Sequence, residues 1–392
     1  MINRLATANE QPARTGAGYV QISAFLLTSI ALIIAAGVTA GRPQWQGDPK
    51  DFASFVGWTL KSLSEPQFSI VTYAGVGLLI GGWFGHLAHG RNWRIRGFAQ
   101  ACGTGIWPAV TVAAISSLAL SNLFWGWTLA EGNWAPLFVS IASVAPAVVV
   151  VYGPTARVVL TAAVLGSILA PPLSVGLVRW VCTPLALPPV VGVTAGMAFA
   201  AVPAFVLCRY SRWMPAPWAW QARSAPATTH ISSGHGPVWV LRRALADFSE
   251  AQFFGNEWAS AGVIFGAVVG WLTVPTSAAY GSGLLMPILA AQIGAAILAV
   301  LVWRHRWQRD GFYPTFVPIV SVVPAAVLTF GAHLVSVVPA VVLGVLLGPP
   351  LAAEISRRVP RGWHPYIGNV ASMALMTLIV VVPISLIING VS

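Results

Sequence analysis

The sequence holds only ten acidic residues in 392, so each is a candidate for charge chemistry. Two of them sit in a repeated element. Ser64-Glu65-Pro66-Gln67-Phe68 returns 185 positions later as Ser249-Glu250-Ala251-Gln252-Phe253. A carboxylate flanked by a hydroxyl and an amide can hold a proton, a cation or the polar groups of a solute. Each copy follows a short amphipathic stretch, Phe52 to Leu63 or Val238 to Phe248, and precedes an apolar run. Two readings stand. In one, Ser64 and Ser249 cap a helix whose N-terminal dipole favours Glu65 and Glu250. In the other, Glu65, Gln67, Glu250 and Gln252 line the entries to a polar cavity on opposite faces and coordinate substrate or a coupling ion, proton or sodium.

A second constellation is also duplicated. Ser143 and Pro146 recur as Ser321 and Pro324. A proline within a helix frees the carbonyl four residues earlier, here Ala142 and Val320, and a serine beside it can serve a ligand or satisfy the kink. Pro171-Pro172 and Pro349-Pro350 are expected to break or end their helices, as hairpin tips or as plain termini. Glu257, early in the helix after Glu250, is an intramembrane acid and joins the candidate binding residues. Tyr280-Gly281-Ser282-Gly283 mirrors Cys102-Gly103-Thr104-Gly105 and suits close packing or close approach of a solute. No nucleophile–base pair, phosphate loop or metal-ligand spacing is present, so neither an enzyme nor a cofactor is expected.

The elements that position these groups follow from composition. Charged residues make up 8% of the chain, against about 25% in soluble proteins, and mean hydropathy is +0.76. Such a chain belongs in a bilayer. The net charge of +11 comes from arginines in twos and threes between apolar stretches, without the basic run of a nucleic-acid binder. With about 20 residues per crossing, eleven helices are predicted, at 18–40, 68–88, 98–120, 135–153, 156–178, 187–208, 256–275, 281–303, 313–333, 335–355 and 366–390. The first is read as a retained span rather than a cleaved leader.

The last ten form two copies of five. At the 185-residue offset Gly77, Gly81 and Gly85 meet Gly262, Gly266 and Gly270. From Trp134 to Val181 the offset is 178 without a gap, and 21 of those 48 positions are identical. Placing the N-terminus inside puts 17 of the 21 cations on inner segments and leaves Arg42, Lys50, Lys61 and Arg179 outside. The basic loop follows the first helix in one copy and the second helix in the other. Five crossings per copy is odd, so the second copy enters from the opposite side, an inverted-topology repeat. The expected organisation is an N-terminal helix (1–45), repeat 1 (46–208), a Pro- and Trp-rich cytoplasmic linker (209–237) and repeat 2 (238–392). The fold class is all-α and polytopic, in the plasma membrane, with the C-terminus outside.

This layout resembles secondary carriers with five-plus-five inverted repeats. The run Leu60 to Gly105, an amphipathic helix, a polar break, a Gly-rich helix, a basic loop and a Gly-x-Gly region, resembles the ascorbate-type permeases of the sugar phosphotransferase group. That resemblance covers under a quarter of the chain and implies an elevator-like carrier, commonly a homodimer. The expected function is secondary transport of a small polar or anionic solute. A lipid or polyprenyl carrier translocase, and a non-transporting subunit docking partners through Trp213–Trp220, are the alternatives.

Overall fold

A computed structural model describes residues 15–40, 42, 45–48, 50–132, 134–217, 236–276 and 278–391. The end of the Trp213–Trp220 stretch and most of the linker lie outside the described residues. Among the described residues the chain is helical, without strands. The helices are α1 (Thr15–Thr39), α2 (Phe52–Ser62), α3 (Thr72–Gly90), α4 (Trp107–Trp125), α5 (Val144–Tyr152), α6 (Ala156–Leu177), α7 (Pro189–Tyr210), α8 (Pro237–Ala246), α9 (Glu257–Thr273), α10 (Leu285–Val302), α11 (Arg304–Asp310), α12 (Val322–Phe330), α13 (Leu334–Arg358) and α14 (Tyr366–Val391). Seven of them, α1, α4, α6, α7, α10, α13 and α14, are long and apolar enough to cross a membrane. The other four predicted segments contain α3, α9 and two shorter helices, α5 and α12, each preceded by a 3-10 turn.

α3 and α9 cross at the centre, and their glycines make the crossing. A Cβ on Gly77 would stand 2.0 Å from the carbonyl oxygen of Gly262, and one on Gly262 would stand 2.0 Å from that of Gly77. One turn away on either side, Gly81 faces the backbone of Trp258 and Gly266 faces that of Tyr73. Small residues let helix backbones touch where lipid offers no hydrophobic drive between apolar helices. Around this cross, α4–α7 pack together on one flank and α10–α14 on the other, and α7 meets α14.

The duplicated prolines act differently from the sequence-based expectation. Pro146 and Pro324 are the third residues of α5 and α12, where a helix N–H has no partner in any case. The discontinuity falls at Ser143 (φ −141°, ψ −110°) and Ser321 (φ −142°, ψ −90°), between a 3-10 turn and the α-helix. The serine hydroxyls close it by donating to the carbonyls of Val139 and Val317, at 2.5 and 2.6 Å. Pro171-Pro172 and Pro349-Pro350 neither break nor end α6 and α13, which run straight through them. The carbonyls released by Pro171 and Pro349, Ser167 and Val345, each accept an indole N–H, from Trp125 at 2.9 Å and Trp303 at 2.8 Å. A side-chain donor thus replaces the missing backbone donor, and the helix has no reason to stop. Trp125→Phe and Trp303→Phe should each cost about 0.6–1.7 kcal/mol, one intramembrane hydrogen bond, read as a lower melting temperature. No loss in either variant would mean that the carbonyls find another donor.

Candidate functional site

The Ser-Glu-x-Gln-Phe elements meet at the crossing. Each makes a bend between a short helix and α3 or α9, and Phe68 (φ 62°) and Phe253 (φ 67°) both take the left-handed conformation. Of the seven non-glycine residues with positive φ among those described, five, Phe68, Ile70, Phe253, Ala279 and Tyr280, lie in these bends or in the turn packed on them. Strained backbone gathers where a fold is over-determined for a purpose. Ser64 and Ser249 do not cap: each hydroxyl ties the two sides of its bend together, donating to Val71 or Asn256 carbonyl and accepting the N–H of the same residue.

Gln67 and Gln252 face each other across the centre in a reciprocal amide pair, 2.7 Å in both directions. Each amide also donates to the other copy's backbone, Gln67 to Phe248 and Gln252 to Leu63. Gln292 of α10 donates to the carbonyls of Gln67 and Ile319, and its own Oε1 is buried without a partner. Both Gln amides are therefore spent on the bends themselves.

The two glutamates occupy matching places with unlike partners. Glu250 is in a buried ionic cluster: Arg243 of α8 reaches Glu250 Oε2 at 2.8 Å and Asp247 Oδ1 at 2.7 Å, and Asp247 Oδ2 accepts the Thr315 hydroxyl at 2.7 Å. At the 185-residue offset Arg243 corresponds to Trp58 and Asp247 to Ser62, and among the described residues Glu65 has no ion pair. Glu65 is 1% exposed, and its Oε1 accepts the indole N–H of Trp134 (2.8 Å) and the phenol O–H of Tyr280 (3.3 Å). Glu257 is elsewhere. At the start of α9 it pairs with Arg242 at 2.8 Å and accepts the N–H of Phe98, clamping α8 and the loop after α3. Ser143 and Ser321 are fully buried and engaged at their helix breaks.

Two cavities flank the bends. The larger, about 1330 Å³, is walled by α7, α12, α13, α14 and the Glu250 bend, and Arg306, Arg309, Asp310, Glu354 and Arg357 line it as well. Asp310 there sits below the usual carboxylate range because Arg309 bonds it at 2.7 Å. His364, on the same wall between α13 and α14, is held down to about 3 by burial and stays neutral. The smaller cavity, about 370 Å³, is lined by the end of α1, by Arg42, Trp45 and Lys61, and by the start of α3. Trp134 and Tyr280 line both cavities. Their rings meet edge to face, centroids 5.7 Å apart, and Phe68 joins Tyr280 at 6.4 Å. One aromatic partition, hung on Glu65, therefore stands between the two.

Sequence reasoning pointed to Glu65, Glu250 and both Gln but missed Trp134 and Tyr280. Trp134 opens the gapless repeat, opposite Phe312, and Tyr280 stands opposite Cys102. Neither substitution stands out as a signal, since most aligned positions differ between the copies. Compared with protein-family models, curated proteins and solved structures, the chain has no match in any of the three.

Proposed function

We propose that this chain is a secondary membrane transporter, built from inverted five-helix repeats plus one N-terminal helix, that moves a small polar or anionic solute by alternating access. The carrying observation is the pair of cavities with one shared partition: a carrier needs two vestibules that never join. The copies also differ in the way such a cycle requires. Trp134 and Tyr280 close over Glu65, whereas Phe312, the counterpart of Trp134, turns to Trp307 (5.4 Å) and is 47% exposed. Exchanging these local arrangements would close the large vestibule and open the small one. On this reading the chain is no enzyme, works as an elevator-like homodimer in the plasma membrane and has its N-terminus inside.

Contacts between segments assigned to the same side support the eleven-crossing topology. On the inner side Arg91 meets Gln21, Trp213 meets Thr161, and Arg242 meets Glu257. On the outer side Arg179 bonds the Thr128 carbonyl, and Gly57 abuts Thr39. In a cysteine-free background, Ser282→Cys should label from outside and Arg212→Cys only from inside. Labelling of both from the same side would overturn the topology. Flux of pooled solutes into proteoliposomes tests the function. Accumulation of at least one pool is expected, and no flux of any pool through stable, correctly oriented protein would end the carrier reading.

One observation favours a second reading, a lipid or polyprenyl carrier translocase. The large vestibule exceeds the roughly 300–1,000 Å³ of common ligand sites and is lined by Phe138, Phe253, Tyr366, Met373 and Met376. Transbilayer movement of a fluorescent polyprenyl phosphate in the same vesicles, without solute flux, would favour it.

A further inference from the structure

We propose that Glu65 is the proton-binding group of this carrier and that taking up a proton there frees Trp134 and Tyr280 to open the small vestibule as the large one closes; this rests on the alternating-access reading above. The partition is fixed through one atom. Trp134 and Tyr280, the residues facing both vestibules at this point, each donate to Glu65 Oε1, at 2.8 and 3.3 Å. Hydrogen bonds to a charged acceptor are roughly twice as strong as those to a neutral one. Neutralising this one oxygen therefore weakens both ties together.

The surroundings select a proton over a metal cation. A sodium ion needs several oxygen acceptors, but Oε1 already faces two donors, an N–H and an O–H, whose positive ends repel a cation. Glu65 takes part in no ion pair among the described residues. The charged group that acts on it is Lys61 of α2, whose ammonium stands over the Trp58 ring, 4.4 Å from its centroid. Tyr280 is the other titratable neighbour, and Trp134 and the two central glutamines carry no charge. Glu250 is built for the opposite duty: Arg243 holds it and Asp247 together in one buried cluster. The sign follows. With Glu65 charged the small vestibule is tied shut, and acidification lets it open as the large one closes.

Ala142 lines the large vestibule and not the small one, so from outside it lies behind the partition. Ala142→Cys, with Cys102, Cys182 and Cys208 replaced, is labelled in right-side-out vesicles by an impermeant methanethiosulfonate. Each rate is normalised to the same variant unfolded at the same pH. Labelling should rise about tenfold on acidification, the factor that about 1.4 kcal/mol produces. An infrared difference spectrum should show a protonated carboxyl band over the same pH range. Adding Glu65→Gln should abolish both the pH response and the band, with labelling fixed at the acid level. If that variant folds poorly, Trp134→Phe, which keeps a ring and loses the donor, should label at high pH as the parent does at low pH. A pH-independent parent, or a pH response surviving Glu65→Gln, overturns the proposal. Solute flux that ignores pH while the partition responds to nothing would sink the proton site and leave the carrier. A pH-gated partition without any solute flux would uphold the proton site and remove the carrier.

Discussion

Arg243→Met is expected to unfold or severely destabilise the protein, although the substitution is close in volume and apolar. Arg243 is buried with Asp247 and Glu250, and both carboxylates depend on its guanidinium. Removing the shared cation leaves two buried acids facing each other. Breaking a buried ion pair by deleting one partner costs about 3–5 kcal/mol, whereas replacing the whole group with well-packed hydrophobic residues of similar volume is often nearly free. The triple variant Arg243→Met, Asp247→Leu, Glu250→Met should therefore regain a melting temperature near the parent's while the single variant aggregates. Arg243 also lies over the rings of Trp307 (4.7 Å) and Phe98 (5.5 Å). If the triple variant is as unstable as the single one, that stacking, and not the unpaired charge, is what holds α8. Flux separates the roles further: a triple variant that folds but does not transport would place Glu250 in the pathway as well as in the fold.

The same cluster shows where sequence reading stops. A carboxylate two residues before a glutamine, repeated at a fixed offset, marked both bends, and the three paired glycines marked the helices after them as copies. These survive because geometry demands them: a touching backbone admits only glycine, and a reciprocal amide pair needs one glutamine from each copy. The pairing of the acids was different. Glu65 and Glu250 look equivalent in the repeat, and Glu257 seemed to add charge beside Glu250. In the fold Glu257 turns away to Arg242. The inequality comes from Arg243 standing opposite Trp58 and from Tyr280 and Trp134 arriving from segments far along the chain. Long-range side-chain contacts of this kind leave no periodicity to read. The prolines misled for a related reason. Pro171 and Pro349 do remove a helix hydrogen bond, but Trp125 at the end of α4 and Trp303 between α10 and α11 restore a donor.

Alanine at Gly77 or Gly262 is expected to be the most damaging conservative change in the membrane region. The added methyl would lie 2.0 Å from a carbonyl oxygen of the opposite helix, less than any real Cβ contact, and that oxygen is backbone, unable to swing aside. The helices must separate, and the separation propagates to the bends because α3 and α9 begin only a few residues after Gln67 and Gln252. Over-packing a core costs about 1–3 kcal/mol where neighbours can shift, and here they cannot without parting the amide pair. Gly77→Ala and Gly262→Ala should each reduce folded protein in detergent sharply, and the double variant should not accumulate. Gly294→Ala in α10 supplies the scale, since nothing lies within 4 Å of its Cβ position. There helix propensity dominates, and alanine should stabilise by up to about 1 kcal/mol. Equal melting temperatures for Gly77→Ala and Gly294→Ala would mean that the crossing is looser than the backbone contact implies. In that case the amide pair of Gln67 and Gln252, rather than the glycines, would set the distance between the two copies.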